Sequence, residues 1–159
     1  AAELGVWMVN VHASGGSRMM RAAREALNDS PKPPLLVAVT VLTSLDQEDL
    51  TELGCDNALI DRVCQLAALA ESAGLDGVVC SAAEAAVLSA RQREGFLLVT
   101  PGIRLAGDGA GDQRRIVTPE SAVADGATHL VVGRSITASD DPAKTAADIR
   151  ASLDALASG

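Results

Sequence analysis

The chain has 159 residues, 48% of them hydrophobic, and a formal net charge of −8 with a pI of about 4.6. This length predicts one domain, residues 1–159, large enough to bury a core. The acidic balance argues against binding to nucleic acid or to an anionic membrane. Trp7 and Phe96 are the two aromatic residues, so stacking on bases is not available for recognition. No apolar run reaches the ~20 residues that a membrane-spanning helix needs.

Cysteine usage points to a reducing compartment. Cys55, Cys64 and Cys80 are odd in number and lack the spacing of a metal site. We interpret them as reduced thiols in preference to a disulfide or a ligand set. The N-terminus has no basic region followed by an apolar one. Together these features predict a cytoplasmic protein without a metal.

Apolar, β-rich runs alternate with amphipathic segments along the whole chain. Strands are predicted at residues 6–11, 35–42, 77–80, 96–100 and 129–132. Helices are predicted at residues 17–30 with Ser17 as N-cap, at 46–53, 58–73, 81–93 and 118–125, and from 140 onwards. Such alternation favours a parallel sheet with right-handed crossovers. The prediction is an α/β protein of five βα units.

Two helix starts carry recognisable signals. Ser81 and Glu84 have the S-x-x-E spacing of a capping box. Thr118 followed by Pro119 places a capping hydroxyl before a proline at the first helical position. Gly126 then marks the end of that helix.

Two arginines follow directly on predicted buried strands, each next to a glycine. Arg104 comes after the strand at 96–100, and Arg134 follows Gly133 at the end of the strand at 129–132. Ligands of parallel βα folds bind at the carboxyl ends of the strands, and the last two βα loops of a barrel often hold phosphate. A guanidinium fork matches phosphate oxygens. With Gln113 in the intervening loop, these residues predict a phosphate site, whereas a lone arginine is more often a solvated surface residue.

Other polar residues near predicted strand ends leave alternatives open. Thr43 and Ser44 either hydrogen-bond a ligand or cap the following segment. His12 is a possible acid or base, although a histidine there is more often held by a neighbouring backbone group. Arg114 and Arg115 are assigned to the surface or to an interface.

The lysines are not placed for catalysis. Lys32 lies in a proline-rich loop and Lys144 in the first turns of the last helix. Neither follows a strand, so neither is expected to donate a proton beside a carboxylate. Asp76 precedes a strand, on the side away from the candidate site, and is expected to be structural.

Six motifs resemble the orotidine 5′-phosphate decarboxylase family, specifically its bacterial branch, over essentially the whole chain. They are GVWMVNVHASGG (5–16), VTVLTS (39–44), LDGVVCS (75–81), TPGIR (100–104), GDQRR (111–115) and GR (133–134). The resemblance implies a TIM-barrel ancestry, no metal or organic cofactor, and a dimer. It also implies that Arg104, Gln113, Gly133 and Arg134 are phosphate-binding positions and that Thr43 contacts the pyrimidine side.

The resemblance further implies that the chain begins where the family's fourth strand starts. The first three βα units would be absent, and with them the Asp, the Lys and the Asp-x-Lys-x-x-Asp motif of catalysis. Asp141-x-x-Lys144 has the wrong spacing and lies on a predicted helix. A positioned proton donor typically raises a reaction rate about 10²–10⁴-fold. Because the residues that supply it in the family would be absent, no catalytic residue is assigned to this chain.

The functional expectation is a truncated orotidine 5′-phosphate decarboxylase that binds a pyrimidine nucleotide monophosphate or phosphate and is inactive or nearly so alone. One alternative is an active decarboxylase completed by a chain carrying the missing units. Another is a purely structural, oligomeric barrel fragment without a ligand.

Five units cannot close an eight-stranded barrel, so the sheet should be open, with its inner apolar face exposed. Open edges and such a face favour a homodimer or higher homo-oligomer.

Overall fold

The computed structural model describes residues 1–105 and 117–157, and its strands form one parallel sheet in chain order. The strands are β1 (Met8–His12), β2 (Leu35–Val39), β3 (Gly77–Val79), β4 (Leu97–Thr100) and β5 (His129–Leu130). Each strand pairs in parallel with the next, and β1 and β5 form the two edges. The predicted open, truncated TIM-barrel-like sheet of five βα units is confirmed.

Helices connect the strands in the predicted alternation. They are α1 (Gly16–Asn28), α2 (Gln47–Glu52), α3 (Leu59–Ser72), α4 (Ala82–Ser89), α5 (Pro119–Ala124), α6 (Arg134–Thr137) and α7 (Pro142–Ala157). Short 3₁₀ turns cover Ala2–Leu4 and Ala13–Gly15. No helix within the described ranges is both long and apolar enough to span a membrane.

Helix caps explain several boundaries. Asp46 caps α2 by accepting from Glu48 N at 2.9 Å and Asp49 N at 3.1 Å. The capping box predicted at Ser81 is present at the start of α4, and Thr118, predicted as an N-cap, caps α5. The sequence-based prediction for α1 is wrong at its start, because the helix begins at Gly16 and Ser17 is not its cap.

The main core lies between the outer face of the sheet and the helices α1, α3 and α4. Its strand members include Leu36, Ala38, Val78 and Leu98, all at most 2% exposed. Complete burial of one such leucine or valine stabilises the fold by about 1.5–3 kcal/mol. A second cluster packs α5 against the end of β4, and its members are Ala82, Ile103, Ala122 and Ala127.

The inner face of the sheet borders an open cavity of about 320 Å³. Its lining comes from β1 to β4 and from residues that follow β4 and β5: Met8, Val9, Asn10, Val37, Val79, Val99, Pro101 and Val131. Val37 is only 1% exposed and Val99 is buried. The expected fully exposed inner face is therefore wrong for these valines. The sheet curls, so that side chains of its two halves shield one another.

The end of the sheet away from the candidate site is held by Asp76. This carboxylate accepts from Leu36 N at 2.7 Å and pairs with the Arg24 guanidinium of α1. Arg24 Nε also donates to Gly74 O at 3.0 Å. These contacts tie α1 to the start of β3 and give Asp76 the expected structural place.

Candidate functional site

Arg104 lies where the chain leaves β4, at the carboxyl end of the sheet. Its backbone is fixed, because Arg104 N donates to Val117 O at 2.9 Å and Ile103 forms a parallel bridge with Val117. The residue is only 8% exposed, and its Nη1 lies 3.5 Å from Ile103 O. A guanidinium stays charged when buried, so this position holds a permanent cation.

Gly133 and Arg134 lie where the chain leaves β5, beside β4. Val131 N donates to Thr100 O at 2.9 Å, which continues the contact between the two strands beyond their ends. Gly133 is the N-cap of α6, with its carbonyl accepting from Ile136 N and Thr137 N. Among the described residues, a Cβ on Gly133 would meet no atom within 4 Å. Arg134 is the first residue of α6 and is exposed.

The structure therefore places Arg104 and Arg134 on segments that follow the neighbouring parallel strands β4 and β5, at the carboxyl end of the sheet. Such neighbouring strand ends are where α/β folds bind ligands. Gln113, together with Arg114 and Arg115, lies outside the described residues.

Thr43 lies at the same carboxyl end of the sheet, in an exposed turn after β2, which is two strands away from β4. The turn is closed by a hydrogen bond from Leu45 N to Leu42 O at 2.9 Å. Neither Thr43 nor Ser44 caps the following helix, because Asp46 does so. The capping alternative is thus wrong, and the ligand alternative stays a prediction.

His12 is the last residue of β1 and is exposed. It precedes the 3₁₀ turn Ala13–Gly15 as its N-cap, without a side-chain hydrogen bond to that turn. His12 thus ends the strand next to the one that Thr43 follows, since β1 pairs with β2.

Neither lysine follows directly on a strand. Lys144 Nζ pairs with Asp148 Oδ2 at 2.5 Å on the surface of α7. Lys32 is exposed in the turn between α1 and β2. Within residues 1–105 and 117–157 no cluster of three or more His, Cys, Asp or Glu side chains is suited to a metal ion.

Sequence reasoning missed α6, which carries Arg134 and the buried Ser135. Four residues are too few for helical periodicity to be visible. It also missed the environment of Cys80, which follows β3. Burial and, to a smaller extent, the nearby charge of Glu84 raise the pKa of this thiol to about 12. A thiol with this pKa is protonated and is a poor nucleophile.

Comparison with known proteins gives a consistent family. The family model OMPdecase, described as the orotidine 5′-phosphate decarboxylase / HUMPS family, matches residues 1–149. An orotidine 5′-phosphate decarboxylase of Teredinibacter turnerae is 57% identical over 149 residues, covering 94% of this chain and 64% of the relative. One of Pectobacterium atrosepticum is 58% identical over 154 residues, covering 96% and 62%. The chain therefore spans just under two thirds of the length of these relatives.

Two solved structures resemble the fold closely. An uncharacterized conserved protein from Geobacillus kaustophilus superposes with a TM-score of 0.78 at 42% identity. Orotidine 5′-phosphate decarboxylase from Lactobacillus acidophilus superposes with a TM-score of 0.79 at 37% identity. Each match covers 94% of this chain and 64% of the solved one.

Proposed function

The chain belongs to the orotidine 5′-phosphate decarboxylase / HUMPS family, and we propose from this that it carries the phosphate-binding half of a decarboxylase site. Arg104, Gln113, Gly133 and Arg134 would bind the phosphate of a pyrimidine nucleotide monophosphate. Thr43 would contact the pyrimidine side. No metal or organic cofactor is part of this proposal.

The placement of Arg104 carries the proposal. Its guanidinium is nearly excluded from water at the carboxyl end of β4, and its backbone is fixed by Val117. A cation in such a place interacts more strongly with an anion than a solvated one does. Arg134 follows the adjacent strand and, being exposed, is accessible to the same anion.

Calorimetry with uridine 5′-monophosphate, and separately with inorganic phosphate, tests the binding. A charge-assisted hydrogen bond contributes about 1.5–3 kcal/mol, so Arg104→Gln should weaken the affinity about tenfold to a hundredfold. Arg150→Gln is the matched control, because Arg150 is an exposed arginine of α7 that faces Asp154 at 3.7 Å. Absence of heat with both ligands would support the alternative of a structural fragment without a ligand.

We further propose that the 159-residue chain alone does not catalyse decarboxylation. In this proposal, the family's catalytic lysine and aspartates lie outside this sequence. Lys32 precedes β2, and Lys144 pairs with Asp148 on the surface of α7, so neither lysine follows directly on a strand. Proton donation to the carbon that loses CO₂ would then have no positioned donor.

An assay at high protein concentration, following conversion of orotidine 5′-monophosphate to uridine 5′-monophosphate, tests this second proposal. We expect no turnover above that of a protein-free sample. Turnover that disappears in Arg134→Ala would contradict it, since the activity would then belong to this chain's own site.

A second candidate function is an active decarboxylase completed by a separate chain. It is favoured by the coverage of 62% to 64% of the relatives and by the two open edges of the sheet. Mixing this chain with one carrying three preceding βα units should then produce turnover that neither chain has alone.

Open edges also support the proposal of a homodimer or higher homo-oligomer. Reduced thiols support a cytoplasmic location, because free cysteines persist in a reducing compartment.

A further inference from the structure

Two rings meet across the open side of the sheet. The indole of Trp7 and the imidazole of His129 have their centroids 5.4 Å apart, with the ring planes at 46°. Trp7 immediately precedes β1 and His129 begins β5, and these are the two edge strands, with three strands between them. The contact therefore joins the ends of the sheet without passing through its hydrogen-bond ladder.

Hydrogen bonds connect each ring residue to the strand that neighbours its edge strand: Trp7 to β2, and His129, through Thr128, to β4. Trp7 O accepts from Leu35 N at 2.9 Å, which fixes the indole's backbone to β2. His129 Nδ1 lies 2.9 Å from Thr128 Oγ1, which accepts from Leu98 N at 2.9 Å. The imidazole is thus oriented from β4. Movement of either ring requires movement of its edge of the sheet.

The contact lies beside the inner cavity. Met8 follows Trp7, and Val131 lies two residues after His129, and both line the cavity of about 320 Å³. Val79, on the central strand, lines its floor. Since the lining comes from both edges, the distance between β1 and β5 sets the width of the cavity. Trp7 is 65% exposed, so its contact lies at the mouth and not in the interior.

We propose that Trp7 and His129 form a strap that holds the two edge strands together and keeps the inner apolar face shielded. A pair of aromatic rings shifts an equilibrium by only about twofold to tenfold. The strap therefore opens readily, and opening widens the cavity and releases both edges while the central strands stay paired.

Nuclear magnetic resonance of the unmodified chain gives the first test. Because Trp7 is the one tryptophan of the sequence, ring-current shifts of the His129 imidazole protons report this contact directly. We expect these protons at shifted frequencies in the unmodified chain and in Trp7→Phe, and at ordinary histidine frequencies in Trp7→Leu. Ordinary frequencies in the unmodified chain would overturn the proposal.

Amide hydrogen exchange separates a strap from a general stabilising contact. In Trp7→Leu, exchange should accelerate about twofold to tenfold in β1 and β5, with no change in β3, and the emission of anilinonaphthalene sulfonate should rise. His129→Leu should have the same effect, and the double variant no larger one. Leu4→Ala is the control, as Leu4 is 82% exposed in the same N-terminal segment.

Either of two results would overturn the strap. Exchange that stays unchanged at both edges would mean that the ring contact does not restrain them. Acceleration of β3 to the same degree would mean that the pair stabilises the whole fold and does not act on the edges.

Discussion

Arg104 and Arg134 follow neighbouring strands but differ in how deeply they are buried. Arg104 is buried and its backbone is paired with Val117, so little side-chain freedom is left to lose on binding. Arg134 is exposed at the first position of α6. In the proposed anion binding, we therefore expect Arg104 to lose little side-chain entropy.

Cys80 offers a prediction about pH at the level of one residue. Its pKa is raised from 9.0 to about 12 by burial, with Glu84 adding to the shift and Thr100 opposing it. The unfolded chain ionises at the lower value, so the contribution to stability is complete below pH 9 and is lost as the pH rises towards 12. Each pH unit in this window should remove up to about 1.4 kcal/mol of the free energy of unfolding.

Urea denaturation between about pH 8 and pH 10 checks this prediction. Cys80→Ala should lose that part of the pH dependence, whereas Cys64→Ala, at a half-buried thiol of α3, should keep it. Equal slopes for Cys80→Ala and the unmodified chain would contradict the assigned pKa.

At the scale of elements, the contact between β3 and β4 depends on the missing side chain of Gly77. Gly77 is paired with both Val37 and Leu97. A Cβ at this residue would lie 2.3 Å from Leu97 O and 2.5 Å from Leu97 Cβ. Leu97 cannot move away from Gly77 without breaking the parallel pairing of β3 with β4.

Gly77→Ala should therefore lower the free energy of unfolding by about 1–3 kcal/mol, the usual cost of overpacking. Thermal denaturation measures it. The matched control is Gly15→Ala, whose Cβ would meet the flexible end of Met19 at 2.5 Å and should cost less. An equal loss in the two variants would mean that the close approach of Leu97 is not the cause.

The elements were predictable where local signals are strong. Runs such as Leu35–Val39 are apolar and β-branched, and the capping residues Ser81 and Thr118 mark their helices. Boundaries were less predictable: β2 stops at Val39, although Thr40 N and Oγ1 still donate to Val79 O. The apolar run continues to Leu42, so hydropathy alone placed the end of this strand three residues too late.

The candidate site was predictable only as a set of positions. Sequence spacing placed Arg104 and Arg134 after adjacent strands, which the fold confirms. It could not give the burial of Arg104, because that depends on the pairing of Ile103 with Val117 across the loop. Nor could it give the contact of Trp7 with His129, which depends on the curl of the whole sheet.

For the whole molecule, strand order follows chain order, so each βα unit packs against the one made just before it. Helices cover the outer face, and the curl shields Val37 and Val99 on the inner one. Both edge strands keep one side without a strand partner among the described residues. The core of this sheet is well packed. Its two edge strands and the apolar mouth of the cavity favour association with another chain.

Self-association tests this view of the molecule. At micromolar concentration we expect light scattering to give a mass of two chains or more, because open edges and apolar surface at the cavity mouth are shielded by a second copy. Val131→Glu should shift the protein towards the monomer, since Val131 is 49% exposed and lines the cavity. Leu53→Glu is the control: Leu53 is 72% exposed at the end of α2, away from the cavity lining. A monomeric unmodified chain would show that the curl of the sheet shields the apolar surface without a second copy. The proposal of a homo-oligomer would then be wrong.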